Sequence, residues 1–130
     1  MTKHDWATKF IKELQRELDS RCNHGTTIFR HHKMWSKTVP DYSVTVRGKT
    51  IWLEFKLWKD GKRPTFYPDQ VKVLDKLWTA FYVHLTVKDG KFVGACVSRC
   101  EHPHNGGESL GESVRYLCTL FDLDTTELDY

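Results

Sequence analysis

Residues 40–56 constrain the fold more than any other stretch of the chain. They read Pro-Asp-Tyr-Ser-Val-Thr-Val-Arg-Gly-Lys-Thr-Ile-Trp-Leu-Glu-Phe-Lys. Apolar and polar residues alternate on both sides of Gly48, the period of a half-buried strand pair, and β-branched and aromatic residues supply most of the apolar set. The pattern predicts a β-hairpin. A two-residue loop at Gly48-Lys49 gives glycine the positive φ that a primed turn demands. In that register Arg47 faces Thr50, Thr45 faces Trp52, Ser43 faces Glu54 and Asp41 faces Lys56. One face then carries Tyr42, Val44, Val46, Ile51, Leu53 and Phe55, all apolar or aromatic. The other carries Asp41, Ser43, Thr45, Trp52, Glu54 and Lys56. A one-residue slip would mix the two sets and drive charge into the core.

Two carboxylates and an ammonium on one small patch suit a hard divalent cation. Mg²⁺, or Mn²⁺ in its place, takes one or two carboxylates, keeps several waters and shares a substrate's phosphate oxygens. Asp41 and Glu54 are the expected metal ligands, and the Phe55 backbone carbonyl between Glu54 and Lys56 is a further candidate oxygen. Lys56 is placed to orient or deprotonate a water, or to neutralise charge on a phosphate. The plainer reading of the same residues is a surface hairpin with a Glu54–Lys56 ion pair and a turn-forming Pro40-Asp41.

Pro40-Asp41 followed on the next strand by Glu54-Phe55-Lys56 resembles the signature of the PD-(D/E)xK nuclease superfamily. The resemblance implies an α/β domain of the restriction-endonuclease-like kind, a mixed β-sheet flanked by helices, and it covers residues 5–87. It implies catalytic roles for Asp41, Glu54 and Lys56. The superfamily often places a metal-binding glutamate on the first helix, and Glu17, at the edge of the helix's apolar stripe, is the residue chosen here. In related nucleases the segment before the motif lies beside the active site, which makes Arg30, His31, Lys33 and Lys37 phosphate-contact candidates. Gln70, in the first turn of the helix after the motif, matches a glutamine that recurs in the virus-type replication-repair branch (VRR-Nuc). Its implied role is to orient Lys56, water or phosphate. The chain resembles stand-alone phage or archaeal proteins of this branch and of the junction-resolvase type, several of which act as homodimers that cut two strands.

The rest of the chain fits an α/β pattern. Trp6, Phe10, Leu14 and Leu18 form one helical stripe over residues 5–20, with Asp5 as the expected N-cap. Thr26–His32 reads as a strand, and residues 33–39 as a basic, partly aromatic connection. After Lys56, Lys59, Lys62 and Arg63 are interleaved with Trp58, Phe66 and Tyr67, a mixture that grips phosphates and stacks on unpaired bases. A helix is expected from Pro68, with Val71, Leu74, Leu77, Trp78 and Phe81 on its apolar face. Strands Phe81–Val87 and Phe92–Ser98 are joined at Asp89-Gly90, and residues 111–121 form a closing helix before an acidic tail, 122–130. Cys96, Cys100, His102 and His104 are the residues to weigh for zinc, at a spacing that matches no familiar pattern.

At 130 residues the chain is expected to form one domain. Residues 1–91 hold 18 Lys/Arg and 10 Asp/Glu, a charge of +8, whereas residues 92–130 hold 2 and 7, a charge of −5. The positive part contains the hairpin and suits a phosphate backbone. No apolar run reaches the roughly 18 residues of a membrane helix, and the N-terminus lacks a signal-peptide core. The expected setting is therefore cytoplasmic, or a host cytoplasm if the source is viral. The expected function is a Mg²⁺-dependent endodeoxyribonuclease selective for branched, flap or junction DNA. The competing readings are a nucleic-acid-binding module without catalysis and a zinc-stabilised interaction domain.

Overall fold

The alternation about Gly48 folds as a hairpin, and everything else packs on it. The computed structural model describes residues 1–21, 25–31, 38–103 and 107–121. Its elements are α1 (Lys3–Arg21), β1 (Thr26–Arg30), β2 (Tyr42–Val46), β3 (Lys49–Lys59), α2 (Pro68–Lys76), β4 (Ala80–Lys88), β5 (Lys91–Ser98) and α3 (Leu110–Leu120). The strands form one open five-stranded sheet in the order β1-β2-β3-β4-β5. β3 and β4 are parallel, and the other neighbours are antiparallel. The fold is α/β, a mixed sheet flanked by helices. Lys33, Lys37, His104 and the acidic tail lie outside the described residues.

The expected faces are observed. Tyr42, Val44, Val46, Ile51, Leu53 and Phe55 are all buried, in one core with Trp6, Phe10, Leu14 and Leu18 of α1 and Val114, Leu117 and Cys118 of α3. Phe10 meets the Phe55 ring edge-on at 5.5 Å. Each such large side chain contributes about 1.5–3 kcal/mol by leaving water. α2 lies on the opposite face, where Leu74 packs with Ala80 and Tyr82.

The hairpin turn sits one residue earlier than expected. Arg47 and Gly48 carry the positive φ values, 53° and 80°, and Val46 pairs with Lys49. A turn of this kind needs φ > 0 at both central residues and favours glycine at the second. Thr45 now pairs with Thr50, and their hydroxyls hydrogen-bond at 2.8 Å. The register shifts by two, so every side chain keeps its face. Asp41 moves from opposite Lys56 to opposite Glu54.

Two helix boundaries also differ. α1 starts at Lys3, and Thr2 is its cap. Thr2 Oγ1 accepts the Asp5 N–H at 3.2 Å and Asp5 Oδ2 accepts the Thr2 N–H at 2.7 Å. Asp5 is therefore the third residue of a reciprocal box rather than the cap itself. The Thr2 N–H and, at 3.0 Å, the Thr2 hydroxyl both donate to Asp5 Oδ2, and these bonds hold its carboxyl below the usual carboxylate range.

α2 ends at Lys76 instead of continuing through Phe81. The Thr79 carbonyl is taken by the Trp52 N–H at 2.8 Å. The Arg99 guanidinium gathers the carbonyls of Leu77, Trp78 and Ala80 within 2.9 Å. Those contacts satisfy a helix end that a longer helix would otherwise have used. Trp78 is consequently on the surface, 87% exposed, and Phe81 belongs to β4.

Candidate active site

The site forms where β2 stops and β3 does not. β2 pairs with β3 only as far as Tyr42–Leu53, whereas β3 runs on to Lys59 with β4 along its other side. Successive residues of a strand aim their peptide groups to alternate sides. The Trp52 N–H points to β4, at Thr79, so the Phe55 N–H points away from β4. It donates to Asp41 Oδ2 at 2.9 Å, a side-chain bond standing where a ladder bond would have been. The N–H and carbonyl of one strand residue share a side, so the Phe55 carbonyl faces the same open edge as the Asp41 carboxylate.

Glu54 and Lys56 lie on the α2 face, two residues apart. The Asp41 N–H donates to Glu54 Oε1 at 3.1 Å, which ties the two acidic residues together. Lys56 Nζ is 3.5 Å from Glu54 Oε2. It donates to the Thr65 carbonyl at 2.8 Å and to Gln70 Oε1 at 3.2 Å. The Phe66 ring lies 4.9 Å from the ammonium. Glu54, Lys56 and Gln70 are all buried. A buried carboxylate and ammonium persist as charges only when paired and hydrogen-bonded, as here.

Asp41, Glu54, Lys56 and Gln70 thus converge as the sequence predicts. Glu54 and Lys56 line an open cleft of about 490 Å³ with Lys3, Pro64, Thr65 and Tyr67. Arg30 lines an adjoining depression with Asp41 and Tyr42.

Glu17 is not part of this site. The first turn of α1 reaches the carboxylates, and Glu17 lies 14 residues beyond Lys3 in the chain, roughly 21 Å along the helix at its usual rise. Its carboxylate accepts from Arg21 at 2.9 Å. His31 has a packing role: its Nε2 bonds to Ser43 Oγ at 2.8 Å and its ring lies 5.3 Å from that of Trp52. Lys59 is exposed, but its odd position on β3 aims it at the face opposite Glu54 and Lys56. Lys62 is exposed beyond the turn at Asp60-Gly61. Arg63 reaches the other way, to Glu101 at 3.3 Å and to His102 at 3.2 Å.

Two of the three aromatic residues of that loop are committed to packing rather than to bases. Phe66 is 5.5 Å from Tyr82 and 6.4 Å from Trp58. Tyr67 remains 49% exposed at the cleft. For zinc, Cys96 is buried and Cys100 exposed, and no group of three or more His, Cys, Asp or Glu able to hold a metal occurs among the described residues.

Three neighbours of the site escaped the sequence reading. Lys3 Nζ stands 3.1 Å from Asp41 Oδ2 and 3.7 Å from Glu54 Oε2. Its signal was present: Lys3, Ala7, Phe10 and Leu14 follow the helical stripe, so a lysine begins the buried face. His84 pairs with Lys56 across β3 and β4. Its Nδ1 accepts from Trp58 Nε1 at 3.0 Å and its Nε2 donates to the Cys100 carbonyl at 2.9 Å, which defines a neutral ring. Tyr82, opposite Glu54, is buried, and its hydroxyl has no hydrogen-bond partner among the described residues. Burial, then the carboxylates of Glu101, Glu54 and Asp75, pushes its phenol up to about 12.

The donor set suits a hard divalent ion. Two carboxylates converge on one cation, the Lys3 ammonium, and a backbone carbonyl faces the same edge. With so few protein ligands, waters and substrate oxygens complete the shell, as Mg²⁺ prefers. Compared with protein-family models, curated proteins and solved structures, the chain matches none.

Proposed function

We propose that this protein is a metal-dependent endodeoxyribonuclease that hydrolyses phosphodiester bonds. One observation carries the reading: Asp41 and Glu54 meet across the end of the β2–β3 hairpin, with the Lys56 ammonium fixed 3.5 Å from Glu54 at the wall of an open cleft. An ion pair of surface convenience would not be buried, nor would its lysine be held by Gln70.

Asp41 and Glu54, with the Phe55 carbonyl, would hold Mg²⁺ or Mn²⁺. When bound, such an ion supplies Lewis acidity to a phosphoryl oxygen and lowers the pKa of water. The chain's own residues supply the rest. Two donors of Lys56 are engaged by Thr65 and Gln70, so the ammonium has a set direction and needs little reorganisation as charge builds on the phosphate. Gln70 acts as the positioning residue for Lys56. Arg30 and Tyr67 border the approach and suit a phosphate and an unpaired base respectively. Selectivity for branched, flap or junction DNA rests on the resemblance to the PD-(D/E)xK superfamily and is the expected preference, and action as a homodimer is a further expectation of the same kind.

The test is cleavage of branched and linear DNA with Mg²⁺, by the wild type, Asp41→Asn and Glu54→Gln. Metal-dependent nicking by the wild type, lost in both variants while DNA binding persists, is the expected result. DNA binding without cleavage in any of a range of divalent metals would favour the non-catalytic module. Undiminished cleavage by either variant would remove its residue from the site.

A further inference from the structure

We infer that Lys3 is the resident counter-cation of the Asp41–Glu54 pair, and that a divalent metal binds there only by displacing it. This inference rests on the metal-dependent reading above and adds a competitor to it. The Lys3 ammonium touches one oxygen of each carboxylate, at 3.1 and 3.7 Å. An ion bound by these two oxygens at about 2.0–2.1 Å needs the same space and is repelled by the ammonium's charge.

Lys3 is delivered to this position by the fold. It is the first residue of α1 after the Thr2 cap, and the Trp6 N–H returns to the Thr2 carbonyl at 3.2 Å. Trp6, Ala7 and Phe10 anchor the same helix face in the core. Its side chain is also 40% exposed, so the ammonium can swing into water without a buried charge being stranded. Lys3 lines both the main cleft and the depression beside Arg30 and Asp41, so it divides the two. Moving it opens the carboxylates from both sides. The first turn of α1 thereby sets the metal affinity of residues that lie far along the chain.

The experiment is calorimetric titration of Mn²⁺ alone into the wild type, Lys3→Met, Lys3→Arg, Thr2→Ala and Lys12→Met. Lys3→Met should bind Mn²⁺ roughly tenfold more tightly, the combined effect of two partly exposed ion pairs and one like-charge repulsion. Lys3→Arg should stay near the wild type. Thr2→Ala, which loosens the turn that presents Lys3, should move in the direction of Lys3→Met by a smaller factor. Lys12→Met removes the same charge from the exposed side of α1 and should change little, which separates local competition from net charge. Should Lys3→Met fail to fold, Thr2→Ala and faster amide exchange at Trp6 on adding Mg²⁺ to the wild type decide the question alone. Unchanged or weaker binding by Lys3→Met, with a wild type that binds, overturns the inference and leaves the nuclease reading standing. The same holds for unchanged Thr2→Ala affinity and Trp6 exchange where Lys3→Met is lost. Absence of Mn²⁺ binding in every variant overturns both.

Discussion

Replacing Lys56 should cost the protein stability before it costs activity, and the two effects can be measured apart. Lys56 is 4% exposed, and its ammonium lies 3.5 Å from the carboxylate of Glu54, which is itself fully buried. Removing one partner of a buried ion pair strands the other, at about 3–5 kcal/mol. Lys3, 3.7 Å from the same carboxylate oxygen, supplies part of the missing charge. The expected loss for Lys56→Ala is therefore at the low end, about 3 kcal/mol, against a total stability of about 5–15 kcal/mol for a domain of this kind. Lys56→Met refills the volume beside Phe66 and should lose less, but it strands the same carboxylate.

Urea unfolding followed by circular dichroism, with equal slopes as the check, gives both differences. Mn²⁺ neutralises Glu54 in the folded state and should restore more stability to the variants than it adds to the wild type; at 100 times Kd a ligand adds about 2.7 kcal/mol. In Mn²⁺, with the variant folded, single-turnover cleavage should still fall about 10²–10⁴-fold. A loss under about 1 kcal/mol in both variants in the absence of metal would refute the pairing argument.

Three further outcomes follow from the geometry. Asp41→Asn keeps an oxygen to accept the Phe55 N–H and should unfold close to the wild type, whereas Asp41→Ala orphans that donor and should lose about 1–3 kcal/mol by urea titration. Tyr82 is held neutral in the fold, so its contribution to stability is complete below pH 10 and is lost as pH rises through about 12. Tyr82→Phe should equal or exceed the wild type at pH 7, where it removes a buried unpartnered hydroxyl, and should soften the alkaline loss of stability measured by thermal unfolding. Arg30→Ala should weaken DNA binding and lower the log–log salt slope by about 0.9 if Arg30 touches one phosphate, and an unchanged slope would place the DNA elsewhere.

What the sequence made legible was whatever depends on period. Side chains alternate along a strand, so the faces of the hairpin followed from Tyr42, Val44, Val46 and Ile51, and they survived an error of one residue in the turn. Asp41, Glu54 and Lys56 were placed together for the same reason. Gln70 was singled out by the resemblance, and Pro68 placed it in the first turn of α2. The misses concern contacts between elements, which carry no period. Leu77, Trp78 and Phe81 continue the helical pattern of α2, and the contacts that end it come from Arg99, more than twenty residues on, and from Trp52 on β3. Glu17 was chosen because the resemblance implies an acidic residue on the first helix, and Lys3 was not considered; the distance from each to the carboxylates depends on how α1 crosses the sheet.

The unequal lengths of β2 and β3 explain why the two carboxylates sit where they do. Five residues of β2 face eleven of β3, so the edge of β3 beyond Leu53 has no strand from β2 to complete it. Backbone groups left open on a sheet edge seek partners. Asp41 answers with its carboxylate to the Phe55 N–H, and its own N–H goes to Glu54. The two acidic groups are therefore positioned by the peptide framework itself and not by flexible side-chain contacts alone. Completing the edge with a longer β2 would satisfy the same peptide groups and leave Asp41 no reason to turn inward. Holding two carboxylates this close costs electrostatic energy, which Lys3 and Lys56 offset in the resting protein. A divalent ion would offset it better than one ammonium does, and under the proposed function that difference is the thermodynamic basis for exchanging a side chain for a metal.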